Sequence, residues 1–390
     1  PAVSPDGTRV AFIWDGGEGR NFDLYVKQRD TETPLRLIES DENERFPAWS
    51  PDGATIAFIS RRDGRWGIFT VPAIGGPEHR LSYSEARLTG LDWSPDGTLL
   101  AYSFGYWEGH QPSIMLFDPA TGESRSITNP EPPNMCDHKP VFSPDGRHIA
   151  FLRYGGRFNE DIHLVPVTGG EVRPLTERQR WVTGFDWTPD GSHLVFGAAP
   201  DGRYRLWKVP VTDGPATWLS TSGEMVQKPS LARHADCLVF EQLSCDYDIW
   251  AVHDPGGDGP CPEPAPLITS TRMDYNPHIS PRTGCVAFLS NRSGSREIWV
   301  CDGEGCHPRQ LTRFGDRFLS SPRWSPDGRQ IAFSSNPDED AAVYRLDPAT
   351  GESERIGDPD QYAWFCDWSP DGRWIFFVSD CSGDDQIWRM

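Results

Sequence analysis

Short apolar runs separated by polar turns recur from one end of the chain to the other. In Arg45-Phe46-Pro47-Ala48-Trp49-Ser50-Pro51-Asp52-Gly53-Ala54-Thr55-Ile56-Ala57-Phe58-Ile59-Ser60 a brief strand with proline near its start enters a tight turn and leaves as a wholly apolar strand. The turn is predicted by mechanism. Serine bonds local backbone, proline presets φ near −65°, aspartate suits the next position and glycine accepts a positive φ. Because Ile56-Ala57-Phe58-Ile59 does not alternate with polar residues, both faces of that strand are expected to be buried.

The same unit repeats. Ser-Pro-Asp-Gly or Thr-Pro-Asp-Gly starts at Ser4, Ser50, Ser94, Ser143, Thr188, Ser325 and Ser369, with a worn copy at Ser280 and a further one at Pro229-Ser230-Leu231 whose turn chemistry is lost. Nine units result, spaced 46, 44, 49, 45, 42, 50, 45 and 44 residues. The second strand of each carries an aromatic: Phe12, Phe58, Tyr102, Phe151, Phe196, Phe240, Phe288, Phe333 and Phe377. A third strand follows at Leu24-Tyr25, Ile68-Phe69, Ile162-His163, Ile298-Trp299 and their equivalents. A fourth ends at Ile38, Leu81, Ile127, Leu175, Leu219, Ile268, Leu311 and Ile356. Met390 comes directly after the ninth third strand, so the ninth unit is expected to have three strands. Four short strands per unit with both faces covered are what radially packed blades produce. The expected fold is an all-β propeller formed by a single domain, 1–390, with nine blades. Eight blades, with one unit displaced or exchanged with another molecule, are the alternative.

Composition removes several function classes. The net charge is −20, spread over every unit, which disfavours nucleic acid and anionic lipid as partners. No apolar run of membrane-spanning length occurs, so membrane insertion is not expected. The nine cysteines lack metal-ligand spacing; Cys301 and Cys306, flanking a Gly-rich turn, are the one pair placed to bridge or bind a metal, and reduced thiols are the expectation. Pro1-Ala2-Val3 already lies inside a repeat, so the chain reads as an excised piece without a leader, and cytoplasm and periplasm both stay open.

The recurring Pro-x-Trp-Ser-Pro-Asp-Gly-x-x-Ile-Ala-Phe unit, with its later Ile-Tyr or Ile-Trp pair, resembles the TolB-type, WD-like propeller repeat across essentially the whole chain. Phe22-Asp23-Leu24-Tyr25-Val26 and Asn291-Arg292-Ser293-Gly294-Ser295-Arg296-Glu297-Ile298-Trp299 are similar to propeller halves of bacterial winged-helix regulators and receptor-like Ser/Thr kinases. The resemblance implies a sensing or scaffolding module of a bacterial multidomain protein. The same repeat precedes the hydrolase domain of prolyl-oligopeptidase relatives, so an accessory peptidase propeller is an alternative.

No Gly-x-Ser-x-Gly elbow, His-Glu-x-x-His pair, phosphate-cradling loop or dinucleotide fingerprint is present, so neither catalysis nor a cofactor is expected. Chemistry in a propeller belongs at the channel mouth, where loops enter the innermost strands. Those loops include Glu44-Arg45-Phe46, Asp137-His138-Lys139, Gln227-Lys228 and Asp274-Tyr275-Asn276. They read either as solvated residues paired with neighbours or as a polar pocket for a protein or small-molecule ligand. The candidate binding residues are Arg45, Arg87, His138, Arg180, Trp181, Tyr275, Arg317 and Tyr362. Tyr106 and Trp107, in the longest connection within a blade, are further candidates. A metal-dependent oligosaccharide lyase using His110, His138, His278 and Gln227 is the remaining alternative. Ligand identity and oligomeric state are not legible in the sequence.

Overall fold

The predicted strand-turn-strand unit forms at Ser50, and its chemistry is more elaborate than turn propensity alone implies. Ser50 Oγ donates to Asp52 Oδ1 at 2.6 Å and accepts the Thr55 N–H at 3.0 Å, while the Gly53 N–H closes on the Ser50 carbonyl at 2.9 Å with φ 68° at Gly53. The hydroxyl-to-carboxylate bond recurs at Ser4, Ser94, Ser143, Thr188, Ser325 and Ser369, at 2.5 to 2.7 Å. These details come from a computed structural model that describes every residue except 18, 20, 105–111, 131–135, 156–159, 178–181, 200–203, 213, 221–224, 244–246, 253–262, 316–318, 336–340, 359–362, 380 and 382–384. Among the described residues the protein is all β, with no helix. It gathers into two compact units, Pro1–Leu243 and Ser244–Met390.

The first unit holds five four-stranded antiparallel meanders and a two-stranded sheet, Val226–Leu231 with Leu238–Gln242. Its inner strands Ala2–Val3, Arg45–Trp49, Leu88–Trp93, Cys136–Phe142, Gly184–Trp187 and Val226–Leu231 each contact the next, and the sixth contacts the first. The recurring tryptophan explains part of this order. Trp49 Nε1 donates to the Ala2 carbonyl at 2.9 Å and Trp187 Nε1 to the Val141 carbonyl at 3.2 Å, each tying its blade to the one before. Turns are stacked as well: Gly53 packs against Pro5, Gly97 against Pro51, Gly146 against Pro95 and Gly191 against Pro144.

This order differs from a ring of nine, or of eight, taken in chain sequence, in which the first inner strand would lie beside the last. Here Val3 N–H donates to Ser230 Oγ at 3.1 Å and His234 N–H to the Pro5 carbonyl at 2.8 Å. Gly7 approaches Ala235 so closely that a Cβ on it would stand 2.9 Å from the Ala235 Cβ. The repeat sets only how each blade meets its neighbour; it does not count blades. The worn sixth turn, Ala232-Arg233-His234-Ala235, has lost the proline that the other turns present and offers alanines that fit Gly7.

The second unit contains the pair Ile249–Ala251 and Ala265–Ile268, two four-stranded sheets and a last sheet of three strands, Trp364–Trp368, Ile375–Ser379 and Gln386–Arg389, as expected. Trp368 Nε1 donates to the Arg323 carbonyl at 3.1 Å, repeating the tie seen in the first unit.

Of the nine second-strand aromatics, Phe58, Phe151, Phe196, Phe288 and Phe333 are wholly buried and Phe377 nearly so. Phe12, Tyr102 and Phe240 are only half-buried, contrary to expectation. Phe12 forms part of a cavity wall, the Tyr102 hydroxyl reaches Ser124 Oγ at 3.2 Å, and Phe240 sits in the two-stranded sheet. The fully buried rings face cross-strand partners, with Phe58 stacked on Phe69 at 5.7 Å and Phe333 on Tyr344 at 5.4 Å.

Candidate functional site

Most inner strands carry a bulge that a plain reading of strand alternation misses. The register with the second strand shifts between Arg45 and Ala48, between His138 and Val141, and between Gln227 and Ser230. In each case the extra residue precedes a proline and holds a positive φ: 52° at Phe46, 52° at Lys139 and 47° at Lys228. In the third blade the extra residue is Gly90, φ 63°. The second unit repeats the device at Asn276, φ 53°, and Phe365, φ 47°. A left-handed backbone costs a bulky L residue about 1–2 kcal/mol, and such strain collects where side chains must be aimed.

In the first unit these side chains are aimed into a cavity of about 800 Å³ between the inner strands, lined by Phe12, Phe46, Leu91, Lys139, Phe185 and Lys228 among others. Large and small residues alternate around it, with Phe46, Gly90, Lys139, Gly184 and Lys228 on successive blades. Gly90 is required by close approach: a Cβ on it would lie 2.8 Å from the Lys139 Cα and from the Pro140 Cδ.

Charge is distributed unevenly. Buried Glu44 and Asp137 are taken up by Arg62 at 2.8 Å and by Arg153 at 2.7 and 2.9 Å, both arginines lying on second strands. Lys228 Nζ pairs with Glu241 at 2.9 Å. Lys139 is half-buried, its Nζ donates to the Thr183 carbonyl at 3.2 Å, and among the described residues no carboxylate comes within 4.0 Å of it. Burial pushes the Lys139 ammonium below the ordinary lysine range; Glu160 opposes that and Lys228 adds to it.

Beyond Pro47, Leu91, Val141, Phe185 and Pro229 lies a further space of about 160 Å³. Asp92, Asp186 and Arg233 line it. Asp92 Oδ2 accepts the Phe142 N–H at 2.7 Å and Asp186 Oδ2 accepts the Leu231 N–H at 2.8 Å, so both tie their blade to the next. Burial pushes the Asp186 carboxyl up to about 7, with Asp92 adding to the effect. Both side chains keep some contact with solvent in this space.

Of the expected binding residues, Arg45 lines the cavity. His138 pairs with Glu160 at 3.4 Å and Arg87 lies over the Trp66 ring at 5.8 Å, both away from it. Tyr275 belongs to the second unit, packed on its core beneath Arg296. Arg180, Trp181, Arg317 and Tyr362 lie outside the described residues, as do Tyr106, Trp107 and His110. His278, in the second unit, accepts the Trp324 N–H at 2.9 Å, and Gln227 donates to Glu241 at 3.3 Å, so each has a structural partner. Cys301 is buried and Cys306 exposed, and both are free thiols. The sequence signal that was missed is the x-Pro dipeptide of the inner strand. It marks the bulge, which turns Lys139 and Lys228 into the cavity in place of His138 and Gln227.

The family model described as TolB beta propeller domain matches residues 1–105, 88–317 and 258–390. The uncharacterized peptidase YuxL of Bacillus subtilis is 26% identical over 209 residues, covering 51% of this chain and 29% of that protein. The Tol-Pal system protein TolB of Francisella tularensis subsp. mediasiatica is 25% identical over 241 residues, covering 60% of this chain and 53% of that protein. Both matches thus span less than two thirds of the relative. Among solved structures, TolB from Acinetobacter baumannii aligns with a TM-score of 0.48 at 17% identity, covering 78% of this chain and 63% of that chain.

Proposed function

The chain belongs to the TolB beta propeller domain family, and we propose that it is a non-catalytic binding module whose ligand enters the cavity of the first unit. The observation that carries this reading is the set of strained, bulged residues Phe46, Lys139 and Lys228, aimed into one space from three blades. The lining combines aromatic and aliphatic walls with a few cationic groups, the usual make-up of a ligand site. The one acid in the deeper space whose carboxyl is pushed to about 7, Asp186, is engaged by backbone N–H groups of Leu231 and Trp187. That arrangement favours a structural role over general acid–base work.

A second reading, the accessory propeller of a peptidase, draws on the similarity to YuxL, which is named a peptidase. On either reading the cavity is the ligand's place. A crystallographic fragment screen tests this. Fragments should gather between Phe46, Leu91 and Phe185; hits confined to outer faces, with the cavity empty, would refute it.

A further inference from the structure

The nature of the ligand can be taken one step further, on the basis of the binding function proposed above. Lys139 carries a charge that is partly withdrawn from bulk water, and among the described residues its Nζ has one hydrogen-bond partner, the Thr183 carbonyl, with no carboxylate within 4.0 Å. An ammonium in that position is only partly compensated, by Glu160 beyond direct contact, because a neutral carbonyl replaces little of a lost hydration shell. Lys228 stands two blades on, close enough to depress Lys139 further; Glu160 opposes the effect on Lys139, and Glu241 pairs with Lys228 at 2.9 Å. Two lysines are therefore held near each other in a chain of net charge −20, on backbone conformations that long side chains adopt only under strain. Gly184, on the blade between them, adds no side chain to the cavity wall beside Lys228.

We infer that Lys139 and Lys228 seat a carboxylate group of the ligand, one ammonium to each oxygen. A carboxylate is favoured over a phosphate dianion because two carboxylates already act on the lysine pair, Glu241 on Lys228 at 2.9 Å and Glu160 on Lys139, although the Pro1 ammonium shares Glu241 at 3.7 Å. The walls formed by Phe46, Leu91 and Phe185 suit an organic body attached to that group. Charge-assisted bonds to the two ammoniums would supply orientation, and the apolar walls would supply contact area. The carboxylate could come from a peptide's C-terminus or from a small free acid; the chemistry at the lysines is the same.

The test is calorimetric titration of the full chain with four probes: glutarate, an N-acetylated tetrapeptide with a free C-terminal carboxylate, the same peptide as its C-terminal amide, and inorganic phosphate. At least one carboxylate probe should bind, and Lys139→Met and Lys228→Met should each weaken it about tenfold or more, with Lys139→Arg restoring most of the loss. Tight binding of the peptide acid alone assigns the group to a chain terminus, and of glutarate alone to a small acid. Equal binding of peptide acid and amide, unchanged affinity in both Met variants, or phosphate binding tighter than either carboxylate would overturn the inference. So would failure of both carboxylates to bind. Neutral fragments found in the cavity together with that failure would leave the binding function standing, whereas an empty cavity for every probe would sink both. Lys228, half-exposed, keeps the test usable if Lys139→Met does not fold.

Discussion

Arg233 Nη2 lies 3.4 Å from a carboxylate oxygen of Asp92, 141 residues earlier in the chain, and 3.2 Å from the carbonyl oxygen of Trp93. Asp92 belongs to the third inner strand and Arg233 to the turn that follows the sixth, on the opposite side of a ring of six, so the side chain crosses the narrow end of the channel. Arg233 occupies the place that proline takes in the intact turns, and the loss of turn chemistry is what frees a long side chain to reach across. Removing it leaves the Asp92 carboxylate without its cationic partner. Arg233→Met is expected to destabilise by about 2 kcal/mol, and Asp92→Asn combined with Arg233→Met by less than the sum of the two, measured in urea melts. Strictly additive costs would show that the pair does not interact.

Core burial separates aromatics that the repeat makes look equivalent. Phe58→Ala, at a position with no exposed surface, should cost about 3–5 kcal/mol. Phe12→Ala, on the cavity wall and half-buried, should cost clearly less in the same melts. Equal costs would mean that Phe12 is as deeply packed as Phe58.

The glycines divide in the same way. Gly122→Ala meets open space and should lose only the price of a left-handed backbone, about 1 kcal/mol. Gly90→Ala has the same strain plus a contact of 2.8 Å with Lys139, so it should lose more and also weaken ligand binding. If the two variants melted alike and bound alike, Gly90 would not be the spacer that positions Lys139.

Stability should fall in acid, through the turns. The hydrogen bond from Ser50 holds the Asp52 carboxyl below the usual aspartate range, helped by the Ala54 N–H, and the same cause acts on Asp6, Asp96, Asp145, Asp327 and Asp371. A depressed carboxyl stabilises above its unfolded value and loses that contribution as pH drops through the folded one. Asp186 acts in the opposite sense: its raised carboxyl makes the fold gain stability as pH falls from about 7 towards the unfolded value of 3.8. Melting temperature against pH should therefore peak in mildly acidic solution. Asp186→Asn should flatten the limb above the peak, and Ser50→Ala should soften the limb below it. A profile unaffected by either change would contradict these assignments.

The meanders were legible because each turn declares itself in Ser-Pro-Asp-Gly, and the three-stranded ending because Met390 follows Ile387-Trp388 so closely. The neighbour of the first inner strand was not legible, since it depends on how Gly7 meets Ala235, a contact across 228 positions that no local pattern encodes. Around the first-unit cavity, the loops named from the sequence supply the wall, but of the expected residues described there only Arg45 reaches it. His138 and Arg87 look like ligand contacts by residue type, yet Glu160 and Trp66 occupy them. Lys139 and Lys228 were passed over because a single extra residue ahead of Pro140 and Pro229 reverses which side chain faces inward.

Hydrogen exchange tests the location of the site most directly. With whichever carboxylate probe binds, exchange should slow together in 45–48, 89–91, 138–141, 183–185 and 227–230, five segments far apart in sequence that share one cavity. Slowing confined to the opposite turns at 50–53, 94–97 and 143–146, with those five segments unchanged, would contradict a ligand seated among Phe46, Lys139 and Lys228.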